Sequence, residues 1–171
     1  MLNMTYDSRA IANFFLDYAD SHKVELSPLA LQKLLYFSQG WHLAIFDHPL
    51  VKNGFEAWER GPVLRIVYDC FKRINISAPI KTRAKTFDPI NNLNIAVEYE
   101  LSVEEEKFLE KMFSYYGYKN AYELSDLSHE RGGPWDLIWN GSPENNPVGM
   151  RIDNSLIKEH FLTSIARESI H

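Results

Sequence analysis

Between Leu31 and Phe46 apolar side chains fall on nearly every side of a helix: Leu31, Leu34, Leu35, Phe37, Trp41, Leu43, Ala44, Ile45 and Phe46. A helix apolar almost all round is one that other elements pack against from several directions, so this segment is predicted to be the core helix. Ser27 supplies an N-cap and Pro28 takes the first helical position, where its missing N–H costs nothing. Three polar residues, Gln32, Gln39 and His42, interrupt the apolar surface. After Asp47-His48-Pro49, the runs Leu50-Val51 and Phe55-Glu56-Ala57-Trp58 flank Asn53-Gly54, which predicts a hairpin turning at those two residues. Alternation puts Phe55 and Ala57 on one face and Glu56 and Trp58 on the other. Arg60-Gly61-Pro62 then ends the second strand, with Pro62 opening the next helix.

The remaining pattern is mainly helical. Asp7 or Ser8 caps a first helix whose stripe is Ile11, Phe14, Phe15 and Tyr18, with His22 extending it by a turn. Val63, Ile66, Val67, Cys70, Phe71 and Ile74 form another i, i+3, i+4 series. From Asn75 to Glu100, alternation at Lys81, Arg83 and Lys85 and again at Ile95, Val97 and Tyr99 is consistent with one or two strands. Ser102-Val103-Glu104-Glu105 reads as a capping box, with both the Ser102 hydroxyl and the Glu105 carboxylate turned to free backbone donors. It starts a helix buried along Phe108, Leu109, Met112, Phe113 and Tyr116 and ended by Gly117. A short helix from Ala121 to His129 is expected to face inward at Leu124 and Leu127. Gly132-Gly133-Pro134 breaks the chain before one or two turns at Trp135–Trp139. The polar stretch 140–149 reads as a loop. Asp153 caps a last helix, with Ile152 and Ile157 placed as a hydrophobic staple. The expected fold is one mainly α domain over residues 1–171, with five or six helices and a small hairpin or short antiparallel sheet.

Composition changes this picture little and narrows function. The chain has 171 residues, enough to bury a core without staples, and 45% of them are hydrophobic. A net charge of −5 argues against a dedicated nucleic-acid binder, so the basic triplet Lys81, Arg83 and Lys85 reads as a solvated strand edge. Cys70 is the lone cysteine, set inside an apolar stripe, which excludes an internal disulfide and a cysteine-rich zinc site. No apolar run approaches the roughly 20 residues that span a bilayer, and MLNMTYDSR lacks a secretory layout, so a cytoplasmic protein is expected.

The sequence shows neither a phosphate-binding glycine loop nor a metal-ligand spacing nor a nucleophile elbow, and no cofactor or metal is expected. What remains is a set of aromatic and charged residues expected to converge: Trp41 and His42 on the core helix, Glu56, Trp58, Glu59 and Arg60 on the hairpin, and His129 and Trp135 at the later break. Two readings stay open. Glu56 or Glu59 pairs with Arg60 or a histidine and fastens the hairpin to the core. Alternatively, exposed tryptophan and arginine form a recognition surface. A paired Glu and His could also serve as general acid and base, although nothing identifies a substrate.

Over Leu31-Gln32-Lys33-Leu34-Leu35-Tyr36-Phe37-Ser38-Gln39-Gly40-Trp41-His42-Leu43-Ala44, then Pro49-Leu50, Phe55 to Val63 and Val67-Tyr68, the chain resembles the Panacea domain family. These are the SocA-like antitoxins, also known as phage-associated GepA-type proteins. Glu123 to His129, Pro134-Trp135 and Ile157 to Phe161 extend the likeness. Where the family usually has Leu-Thr-His, this chain has Leu127-Ser128-His129; the stretch 75–100 adds nothing to the resemblance. The resemblance implies a non-enzymatic antitoxin that neutralises a cognate toxin by direct protein contact, with presentation of the toxin to a cellular protease as an associated mechanism. No extra N-terminal module is expected before the domain, which disfavours DNA binding. Trp41, His42, Glu56, Trp58, Arg60, His129 and Trp135 are the expected signature or partner-binding residues. The alternatives are a prophage-encoded protein that binds another host or phage protein, and a small hydrolase using Glu56 and His129.

Overall fold

The computed structural model describes residues 4–141 and 150–168; the expected loop over 142–149 lies outside them. The Asp7 side chain accepts from Arg9 N and starts α1 (Ser8–Ser21), which buries Ile11, Phe14 and Phe15. Ser27 Oγ accepts from Ala30 N at 3.2 Å and opens α2 (Pro28–Phe46) with Pro28 in its first turn. All but a few α2 residues are buried, as its apolar circumference requires. Two strands follow, β1 (Phe55–Trp58) and β2 (Gly61–Val63), then α3 (Arg65–Phe71) and a second hairpin of β3 (Lys85–Asp88) and β4 (Leu93–Ala96). The chain continues through α4 (Val103–Tyr116), α5 (Ala121–Ser128), α6 (Pro134–Trp139), β5 (Arg151–Ile152) and α7 (Asn154–Glu168). The domain is therefore mainly helical: seven helices among the described residues, with small antiparallel sheets ordered β2-β1-β5 and β3-β4.

Helix α2 is the axle: α1, α3, α4, α5, α7 and β2 all pack on it. Helix α7 packs against it at Gly40, where a Cβ would run into the Phe161 ring. Phe161 in turn meets Tyr36, Phe37 and Trp41 edge-on. Asn13 on α1 fixes the root of the second hairpin, donating to Ala84 O and Val97 O and accepting from Ala84 N. Lys81 and Arg83 are taken up by carboxylates, Lys81 by Glu25 and Arg83 by Asp17 and Asp20. Ile152 and Ile157 are both buried where the staple places them.

Four expectations are corrected. The hairpin does not turn at Asn53-Gly54: Glu59 and Arg60 make the turn, and Gly61, at φ +108°, supplies the left-handed residue. Leu50 and Val51 are unavailable as strand partners of β1 because Gln39 Oε1 accepts from both their amides. Val51 instead bridges Tyr6, and Asn53 accepts from Ser8 Oγ. Pro62 does not open a helix; it lies in edge strand β2, where no N–H is needed, and α3 begins at Arg65. Val63 accordingly belongs to the strand and Ile74 lies beyond the helix. On α5 the inward face is Leu124, Ser125 and Ser128, and Leu127 is exposed; small hydroxyl residues are what the close hairpin allows there. Finally, Ser102 caps α4 but the Glu105 carboxylate does not complete the box, since it is engaged elsewhere.

Candidate functional site

The polar residues of α2 are all buried, and all but Ser38, which donates to Leu34 O of its own helix, hold neighbouring parts of the chain. Gln39 holds Leu50 and Val51 through its carbonyl, and its Nε2 donates to Asn154 Oδ1. His42 donates from Nδ1 to His48 O, which fixes its orientation; its Nε2 lies 2.6 Å from Glu105 Oε1. Because a carbonyl can only accept, one shared proton must lie between Nε2 and Oε1. The pair is essentially solvent-free, with side-chain exposures of 0% and 1%, and ties α2 to α4. Beside it, Trp41 donates to the Tyr116 hydroxyl at 2.7 Å.

The other end of α2 holds the first hairpin, and the pattern there is regular. Alternate residues of the hairpin, from 58 to 64, each give a backbone carbonyl to a side chain of another element. Trp58 O accepts from Trp135 Nε1 on α6 at 2.7 Å, and Arg60 O accepts from Ser125 Oγ on α5 at 3.1 Å. Pro62 O accepts from Lys33 Nζ at 3.0 Å, and Leu64 O from Gln32 Nε2 at 3.1 Å, both on α2. Gln32 also accepts from Leu64 N at 2.9 Å. Gly61 sits directly over this anchoring: a Cβ there would lie 2.7 Å from Lys33 Nζ and from Ser128 Oγ. The backbone of the turn is thus held from three helices while its side chains face outward.

On that outward side, Glu56 accepts from Trp58 Nε1 at 2.8 Å and is held by Arg65 through two hydrogen bonds of 3.1 and 2.8 Å. Partial burial pushes its carboxyl up, but the Arg65 and Trp58 hydrogen bonds outweigh this and hold it below the usual range. The Arg65 guanidinium lies 5.2 Å from the Trp58 ring centroid, and Tyr68 meets the same ring edge-on at 4.7 Å. Beneath Trp58 a groove of about 410 Å³ runs between the first half of α2, α3 and the turn. Leu29, Val63, Val67, Phe71, Ile74 and Ile76 form its apolar walls; Lys33, Glu59, Arg60 and Lys72 are its charged members.

Lys33 is unusual in having no exposed surface and, among the described residues, no carboxylate partner. Burial alone pulls its amine down to about 7. His129, at the end of α5, packs edge-on against Trp135 at 3.9 Å, and its Nε2 is buried without a hydrogen-bond partner among the described residues. Burial first, and then the charge of Lys33, hold its pKa below the ordinary value.

The expected convergence is therefore only half present. Glu56, Trp58, Arg60, His129 and Trp135 gather at the hairpin. Trp41 and His42 do not: nine residues separate His42 from Lys33, about 14 Å of helical rise, and they fasten α4 and α7 instead. Glu56 pairs with Arg65, not with Arg60 or a histidine, while Glu59 and Arg60 are exposed. Glu56 and His129 make separate contacts, the first locked by Arg65 and Trp58 and the second packed edge-on against Trp135, so the two do not form an acid–base pair. Sequence reading missed Lys33, whose charge is hidden in an otherwise helical pattern, and Glu105, which its first-turn position disguised as a cap. Cys70 is half-buried, and burial pushes its thiol up. Among the described residues no group of His, Cys, Asp and Glu could hold a metal, and no helix is long and apolar enough to cross a membrane.

The family model described as "Antitoxin SocA-like, Panacea domain" matches residues 31–136, from the first turn of α2 into α6. That span contains all four side chains that hold the hairpin carbonyls, together with the His42–Glu105 pair. The chain is 41% identical over 155 residues to Antitoxin SocA of Caulobacter vibrioides (strain NA1000 / CB15N), which covers 91% of this chain and 82% of that protein. No solved structure matches. This chain belongs to the SocA-like antitoxin family, built on the Panacea domain.

Proposed function

We propose that this chain neutralises a cognate toxin protein by direct contact, and that the Trp58–Arg60 turn with the groove beneath it is the contact surface. The observation that carries this reading is the rigid presentation of Trp58: its carbonyl is held by Trp135, while its ring is covered by the Arg65 guanidinium and met edge-on by Tyr68 at the mouth of an apolar groove. Tryptophan, tyrosine and arginine at a well-packed, part-buried position are the residue types that dominate interface energy. A turn already held by four side-chain hydrogen bonds gives up little entropy on binding. On this reading the chain works by occupancy and not by turnover. Trp41 and His42 shape the domain, and the hairpin residues meet the partner.

The test is co-expression with the product of the gene beside its own, scoring growth and co-purification together. Restored growth with a stable complex supports the reading. Restored growth with loss of the toxin and no complex replaces it with delivery to a protease. Toxicity that persists when both proteins are made refutes it.

A further inference from the structure

The charges around the groove are unbalanced in a way the rest of the chain is not. The protein carries a net charge of −5, yet the groove is lined by three cations and one carboxylate. Of these cations, Lys72 is paired with Asp69 at 3.2 Å. Arg60 is exposed, and among the described residues no carboxylate pairs with it. Lys33 is fully buried and gives one of its three N–H groups to Pro62 O, with no counter-charge among the described residues. A cation kept out of water without a partner is costly, and a well-packed apolar residue would serve the fold better at that position. The groove thus combines apolar walls with two basic side chains that have no carboxylate partner among the described residues, one deep and one at the rim.

We propose that the groove receives a short apolar segment of the partner protein bearing one acidic side chain, whose carboxylate is held by the exposed Arg60 at the rim, with the buried amine of Lys33 beneath it as the second source of positive charge. This rests on the toxin-binding reading above and specifies its chemistry. Apolar side chains of the segment cover Val67, Phe71 and Ile76, while the carboxylate supplies the counter-charge the free protein lacks. The depressed basicity of Lys33 in the free chain fits this role, because a bound carboxylate would restore its protonation. Other charged or titratable groups around the lysine are His129 from α5, Glu59 and Arg60 from the turn, and Tyr68 and Lys72 from α3.

The experiment is isothermal titration of the purified chain with the purified toxin encoded beside it, in an inactivated form. Lys33→Met should weaken binding at least about tenfold although it removes a burden from the free fold. Exchanging the acidic residues of the toxin one at a time for their amides should reveal one that weakens wild-type binding comparably and has no further effect on Lys33→Met. Arg60→Glu, changed at an exposed side chain, keeps the test open should the Lys33 variant not fold, and should also lose about tenfold or more. Wild-type affinity for Lys33→Met or Arg60→Glu, or additive effects for every toxin carboxylate, would overturn the inference while leaving toxin binding intact. Failure of the wild-type chain to bind the toxin would remove both.

Discussion

Replacing Lys33 with methionine should make the free protein more stable, and the gain should depend on pH. The amine titrates near 7 in the folded chain and near 10.5 when unfolded. Between those values the unfolded chain binds more protons, so stability rises with pH; below about 7 the full penalty applies. Integrating this difference, the buried amine costs the fold roughly 5 kcal/mol near pH 6.5 and roughly 3 kcal/mol near pH 8.5. Methionine fills similar space without charge but leaves Pro62 O without its donor, which costs about 1–3 kcal/mol. The variant should therefore be more stable by about 2–4 kcal/mol near pH 6.5, an advantage that shrinks by about 2 kcal/mol near pH 8.5. Urea unfolding followed by far-ultraviolet circular dichroism at both pH values measures the difference directly. A pH-independent difference, or a variant less stable at both pH values, would refute the account of Lys33.

The other predictions concern the anchors and the half-buried Trp58 ring. Glu105→Ala, which strips His42 of its buried partner, should cost roughly 3–5 kcal/mol in urea unfolding, whereas Glu105→Gln should cost far less because its amide can donate to Nε2. Gly61→Ala, at φ +108° and with Lys33 and Ser128 in the way, should lower stability by about 1–3 kcal/mol or more; a wild-type midpoint would contradict the anchoring of the turn. Trp58→Ala should remain folded by circular dichroism yet weaken toxin binding by about 2 kcal/mol or more, roughly thirtyfold; unchanged affinity would make this residue structural. Cys70 should react with iodoacetamide far faster in urea than in the native state, given its half-buried site and raised thiol basicity.

What could be read in advance follows from which forces are local. Ser27-Pro28, the apolar girth of Leu31–Phe46 and the Ser102 cap are short-range signals, and each helix they predict is present. The alternation of Phe55 to Trp58 likewise sorted the buried face from the half-buried one correctly. The register of the hairpin was not legible, because it depends on Gln39, 11 and 12 residues from the amides it captures, out-competing a local Asn-Gly signal. Lys33 and Glu105 failed for a related reason: lysine in a helix and glutamate in a first turn have ordinary local roles, and only tertiary packing makes one a buried carbonyl anchor and the other the partner of His42. Residues that looked like one recognition cluster belong to two jobs on one helix, holding α4 at one end and the hairpin at the other.

Hydrogen–deuterium exchange of this chain, alone and saturated with the inactivated toxin, tests the central claim most directly. Protection concentrated at residues 28–33 and 58–76, around the turn and the walls of the groove, is the predicted result. Protection confined to another face, such as the β3–β4 hairpin, or no protection in a demonstrated complex, would contradict it.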